Sequence, residues 1–145
     1  MTDVSDLLEV KGRAIWSITP SLPLRDALKL MASKKVGAVI VIEDGEIAGI
    51  FSERDFARKS VAINELTLDS PIEKLMSRPV YYVLPNQSVE DCMKLMTEKH
   101  IRHLPVLDEN VLIGIISIGD VVRHLMKEKS AVIEDLETYI LKNSE

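Results

Sequence analysis

Two short stretches, sixty-five residues apart, carry the groups best suited to chemistry. Ser52 and Asp55 close the run Gly49-Ile-Phe-Ser-Glu-Arg-Asp55, and Ser117 and Asp120 close Gly114-Ile-Ile-Ser-Ile-Gly-Asp120. A hydroxyl and a carboxylate three residues apart, where a strand gives way to a helix, have two uses. One is local: a serine N-cap with an acid at N3 is close to a capping box. The other is recognition, in which the hydroxyl, the carboxylate and the free N–H groups of the helix start hold a polar, anionic ligand. Spacing alone leaves both open. Arg102 and His103 stand just before Pro105. In an acidic protein, two cationic or potentially cationic groups in sequence fit a phosphate clamp, or equally a solvated loop pair. The matching positions sixty-five residues earlier, Gly37 and Ala38, carry no charge. There the candidate cation is Arg54, whose own counterpart is Gly119.

The same offset runs through most of the chain. It pairs Ser5 with Ser70, Arg13 with Arg78, Pro20 with Pro85, Asp26 with Asp91, Lys29-Leu30-Met31 with Lys94-Leu95-Met96, Lys34 with Lys99, Val41 with Val106 and Arg58 with Arg123. One register held that long marks a tandem repeat of one supersecondary unit. Each copy reads as β-α-β-β-α. In the first, 4–11 is a short helix, 14–18 an extended piece, and Leu24, Ala27, Leu28 and Met31 form one helical face. Val36–Ile42 is a β-branched run typical of a buried strand. Asp44-Gly45 turns it into a hairpin over 36–51, and a helix follows over 53–61. Residues 59–69 read as a linker. In the second copy, Ser70-Pro71 opens a helix, 80–84 is extended, and Val89, Cys92, Met93 and Met96 rebuild the helical face. A hairpin turns at 108–110 and a helix spans 119–128. Val132, Leu136 and Tyr139 place an added amphipathic helix over 129–142. The expected organisation is repeat one over 5–64, repeat two over 65–128 and a tail over 129–145.

Composition narrows the function. The chain has 145 residues, 46% hydrophobic and 28% charged, with net charge −5. That is an ordinary globular composition, and its charge is wrong for a general nucleic-acid binder. No apolar run reaches the roughly 18 residues that span a bilayer, and the start lacks the features of a signal peptide. A single cysteine, Cys92, fits a reducing cytoplasm. Cys92 with His100 and His103 makes no metal set, because a fourth ligand is missing. No nucleophile–base set, P-loop or Gly-x-Gly-x-x-Gly argues for an enzyme.

Two β-α-β-β-α copies, each ending in Gly-h-h-Ser-x-x-Asp, together with Ile101-Arg-His-Leu-Pro-Val106, resemble a pair of cystathionine-β-synthase (CBS) domains, a Bateman module. The likeness covers residues 5 to about 128 and is nearest to the stand-alone pairs of bacteria and mitochondria. It implies a mixed α/β (α+β) fold in which two repeats pack sheet to sheet about a pseudo-twofold, with two clefts and a C-terminal helix. It implies a non-catalytic sensor binding AMP, ADP, ATP or NAD(H), or alternatively S-adenosylmethionine, and two modules pairing into a homodimer. Carried to this chain, Asp120 and Asp55 would accept ribose hydroxyls, with Ser117 and Ser52 facing phosphate. Arg102, His103 and Arg54 would supply charge, and Gly37 and Ala38 the uncharged wall. Adenine needs a flat apolar slot, which Ile18, Val36, Val83 and Ile101 could line; as residue types they are equally ordinary core. The competing classes are an enzyme and a structural dimerisation or partner-docking protein with empty clefts. A regulated partner protein is implied without being identified.

Overall fold

In the computed structural model, residues 2–143 are described; the last two residues of the expected tail lie outside them. The chain forms two compact units, and neither coincides with one sequence repeat. One comprises residues 14–82, the other residues 1–13 with 83–145.

The first unit holds β1 (Ser17–Ile18), α2 (Leu24–Lys34), β2 (Ala38–Glu43), β3 (Glu46–Ser52) and α3 (Glu53–Ala62). The sheet order is β1-β2-β3, with β1 parallel and β3 antiparallel to β2. The turn at Asp44 and Gly45 has positive φ at both residues, the backbone that an Asp-Gly hairpin requires. Ile18, Leu24, Ala27, Met31, Val39, Val41 and Phe51 form the core, and Ile72, Leu75 and Met76 join it from beyond α3. The helix expected to open at Ser70-Pro71 is a single 3-10 turn, Ile72–Lys74. Pro79 stands a few residues on and bars any continuation past it. This segment pairs with β3 through an isolated bridge between Ser77 and Ile50. The expected linker is also shorter than 59–69, since α3 runs to Ala62.

The second unit repeats the plan with α4 (Val89–Lys99), β4 (His103–Asp108) and β5 (Val111–Ser117). Its hairpin turns at Glu109 and Asn110, again both at positive φ. The register slips at Val106/Leu107 just as it does at Val41/Ile42, so even the bulge is duplicated. The extended piece 80–84 makes only one parallel bridge, Val83 to Val106; the matching pair in the first unit is Ile18 with Val41. The leading helix α1 (Val4–Lys11) packs here, against β5 and the last helix. Its Val4, Leu7 and Leu8 are buried. A Cβ on Gly114 would meet Leu8 Cδ2 at 2.6 Å, so any side chain there would force Leu8 to shift. The two helices expected over 119–128 and 129–142 are one, α5 (Ile118–Asn143). No Gly or Pro interrupts Asp120–Asn143, so nothing in that stretch breaks the backbone ladder. Every residue from 126 to 142 is exposed.

Candidate functional site

Each Ser-x-x-Asp stretch sits where the second strand of a hairpin passes into a helix. In the first unit Ser52 caps α3. Its N–H and hydroxyl donate to Asp55 Oδ2 at 2.9 and 3.0 Å, and the Asp55 N–H donates to Ser52 Oγ at 3.3 Å. In the second unit the Ser117 N–H and hydroxyl donate to Asp120 Oδ2 at 2.8 and 2.9 Å, and the Asp120 N–H donates to Ser117 Oγ at 3.2 Å. The local use of the motif, a reciprocal capping box, is therefore present in both copies.

Strand register decides what faces each serine. Ala38 lies opposite Ser52 and His103 lies opposite Ser117. The preceding residues act through their backbones in the same way: Gly37 O accepts from the Glu53 N–H at 3.0 Å, and Arg102 O from the Ile118 N–H at 2.8 Å. The fold thus brings His103, Arg102, Ser117 and Asp120 together at one strand–helix junction, and Ala38, Gly37, Ser52, Arg54 and Asp55 at the other. Val36 and Ile101 are half-buried next to these junctions. Ile18 and Val83 are buried in the cores.

Charge separates the two junctions. Asp120 is 8% exposed. Lys11, at the end of α1, donates to Asp120 Oδ2 at 2.7 Å and to Ile115 O at 2.7 Å. Arg123 donates to Asp120 Oδ1 at 2.6 Å. Burial by itself would raise the Asp120 carboxyl; the hydrogen bonds from Lys11 and Ser117 and the Lys11 charge outweigh it and hold the group below its ordinary value. In the first unit Ser77 takes the corresponding place. Its N–H donates to Ile50 O at 2.8 Å, its hydroxyl to Asp55 Oδ1. Ile50 and Asp55 are the counterparts of Ile115 and Asp120, so one carbonyl–carboxylate pair is bridged by an ammonium and the other by a serine. The nearby Lys59 donates to Leu75 O and Met76 O at 2.8 and 2.9 Å.

The sequence offered no route to Lys11 or Ser77. Their counterparts are Met76 and Gly12, and each belongs by sequence to the repeat whose junction it does not serve. Other residues keep to background roles. Cys92 is fully buried, and burial, then Asp91 and Glu90, push its thiol up to about 11, so it stays protonated. His124 is not alone on its helix but contacts Glu128 at 3.0 Å. Among the described residues no helix is long and apolar enough to cross a membrane.

The CBS domain family profile matches residues 4–62 and again 72–127. The CBS domain-containing protein CBSX3, mitochondrial, of Arabidopsis thaliana is 34% identical, over 96% of this chain and 72% of its own length. The CBS domain-containing protein YhcV of Bacillus subtilis is 32% identical, over 90% of this chain and 91% of its own. A solved structure of a protein with CBS domains from Burkholderia ambifaria is 45% identical, with TM-score 0.82 over 87% of this chain and 95% of that one. The CBS domain pair of protein MJ0100, solved with 5′-methylthioadenosine and S-adenosyl-L-methionine, is similar at TM-score 0.77 over 88% of this chain and 98% of that one. At 22% identity that likeness is one of fold alone.

Proposed function

The chain belongs to the CBS-domain family as a pair of repeats, a regulatory module, and we propose that it senses an adenosine-containing ligand without catalysing a reaction. The observation that carries this reading is the duplicated strand–helix junction, which presents a carboxylate, a hydroxyl and helix N–H groups side by side. A carboxylate accepts both hydroxyls of a ribose diol, and a helix N-terminus favours an anionic phosphate. In the second unit His103 and Arg102 sit at the same junction, and they suit AMP, ADP, ATP or NAD(H) better than an uncharged nucleoside. In the first, Arg54 on the opening turn of α3 is the corresponding charge.

The ribose cannot simply be added to Asp120, whose oxygens already accept from Lys11, Arg123 and Ser117. Binding exchanges at least one of these donors for a sugar hydroxyl. Lys11 and Arg123 are the donors on long, flexible side chains, so they are the ones to move. The freed ammonium then lies beside the ligand, where a phosphate can take it.

A second reading follows from the same saturation: a partner-docking protein whose junctions stay closed. S-adenosylmethionine is the alternative ligand, by analogy with the distant MJ0100 pair. Isothermal titration of AMP, ADP, ATP, NAD and S-adenosylmethionine separates these. Micromolar or tighter binding of a phosphorylated adenosine supports the sensor. Preference for S-adenosylmethionine moves the ligand class, and no heat with any of them leaves the docking protein. We place the protein in the cytoplasm as a homodimer that reports ligand state to an unidentified partner protein.

A further inference from the structure

The last helix carries a feature that nucleotide sensing leaves unused. The first turns of α5 pack on α1, α4 and β5, with Val121 buried. Val122, Met126, Ile133, Leu136 and Ile140 stay between 44% and 64% exposed. With Lys129 they recur at alternating steps of four and three residues: 122, 126, 129, 133, 136, 140. That is the seam of a left-handed coiled coil, about 27 Å long at 1.5 Å per residue.

We propose that this seam is closed by the same helix of a second copy running antiparallel. Three observations select that occupant and direction. An antiparallel pair with its twofold axis at position 131 stacks Val122 on the partner's Ile140, Met126 on the partner's Leu136 and Lys129 on the partner's Ile133, so every seam position has a counterpart in one register. Second, the charges are divided along the helix. Arg123, Lys127 and Lys129, against Glu128 and the buried Asp120, which Lys11 pairs, lie in its first half, while Glu134, Asp135 and Glu137, against Lys142, lie in its second. Antiparallel pairing sets basic on acidic and brings Arg123 beside the partner's Glu137 at the flanking positions where such charges choose a partner. Arg123 spends one guanidinium N–H on Asp120 and keeps others for this contact. Third, a parallel pair would press Lys129 onto the partner's Lys129 within the seam, which antiparallel pairing avoids. The acidic second half also argues against a lipid surface, which selects helices with a basic polar face.

This inference rests on the homodimer proposed above and assigns its surface. The test uses the full chain in two arms. Light scattering at about ten micromolar should give a dimer for the parent and a monomer for I133E/L136E, with an unchanged far-ultraviolet spectrum over the folded units. In the second arm M126C and L136C are oxidised each alone and, in a third sample, after the reduced proteins have been mixed. The buried, protonated Cys92 does not interfere. Covalent dimer should form only in the mixture. If each variant cross-links alone, the pairing is parallel and the proposal is overturned. If the parent is a dimer but I133E/L136E stays one and no cross-link forms, another surface holds the dimer and only this inference fails. A monomeric parent ends both.

Discussion

The two Ser-x-x-Asp junctions share backbone path, register and capping box, yet they differ in the group that bridges carbonyl and carboxylate. At Ile50 and Asp55 it is Ser77, through its N–H and hydroxyl. At Ile115 and Asp120 it is the ammonium of Lys11. Duplication preserved the acceptors and let the donors diverge, because the donors arrive on a separate segment. A hydroxyl completes a network of neutral donors around a carboxylate. An ammonium neutralises the carboxylate, so its departure leaves a charge behind. The second junction is therefore the one whose state a bound anion can change.

That contrast can be broken in several ways. The largest effect should come from a fragment ending at Asn64, which removes Ser77 along with Ile72, Leu75 and Met76. Burying three such side chains contributes about 5–9 kcal/mol, a size comparable with the 5–15 kcal/mol stability of a typical domain. Circular dichroism should show no cooperative melt, whereas residues 14–82, which keep the segment, should melt cooperatively. Next in size, Asp120→Ala should weaken nucleotide binding by about 3 kcal/mol, a loss of roughly 150-fold read by calorimetry. Loss of the cap should cost about 0.5–2 kcal/mol of stability besides. Unchanged affinity with a lowered Tm would make Asp120 a cap and nothing more. The same titration on Asp55→Ala shows whether the first junction binds at all.

Lys11→Met installs the residue that occupies the matching position in the other repeat. It should cost about 1–3 kcal/mol, since a nearly buried carboxylate loses a charged donor, and this loss should depend on pH. Asp120 is held below its ordinary value, so its contribution is fully present above about pH 4, the unperturbed carboxylate range. It fades as pH falls through the lower folded-state value. The gap in Tm between parent and Lys11→Met should therefore be widest near neutrality and shrink in acid. A gap that stays constant would place the effect in packing instead of charge. Smallest of all, Ser77→Ala should cost about 0.5–1.5 kcal/mol, the usual worth of one hydrogen bond.

Much of this was legible in the sequence. The turn signals at Asp44-Gly45 and 108–110, the β-branched run of 36–42 and the Ser-x-x-Asp caps are local signals, and each placed its element. His103 and Ser117 could be nominated by type, and strand register then set them face to face. What stayed hidden was non-local. Pairing the repeats by offset assigns α1 to the first copy and residues 70–78 to the second, whereas packing assigns each to the other copy's hairpin. Leu8 beneath Gly114 and Met76 beneath Gly49 reveal that exchange, as do the bonds of Lys11 and Ser77, and none of these contacts has a sequence signature. The break expected at residue 128 failed for a related reason. The end of a repeat is a feature of homology, and it puts no stop signal into a helix.

The exchange also fixes an order of events on the ribosome. Residues 14–82 form a contiguous unit and can close as soon as they emerge. Helix α1 is made earlier than any of them, yet its docking surface on β5 and α5 does not exist until much of residues 83–145 has followed. At about 5–20 residues per second, those roughly 60 residues take about 3–12 s to synthesise. Through that interval Val4, Leu7 and Leu8 wait in water, and so does Lys11. A helix translated ahead of both hairpins is thus among the last to find its place, and its arrival delivers the charge that completes the Asp120 junction.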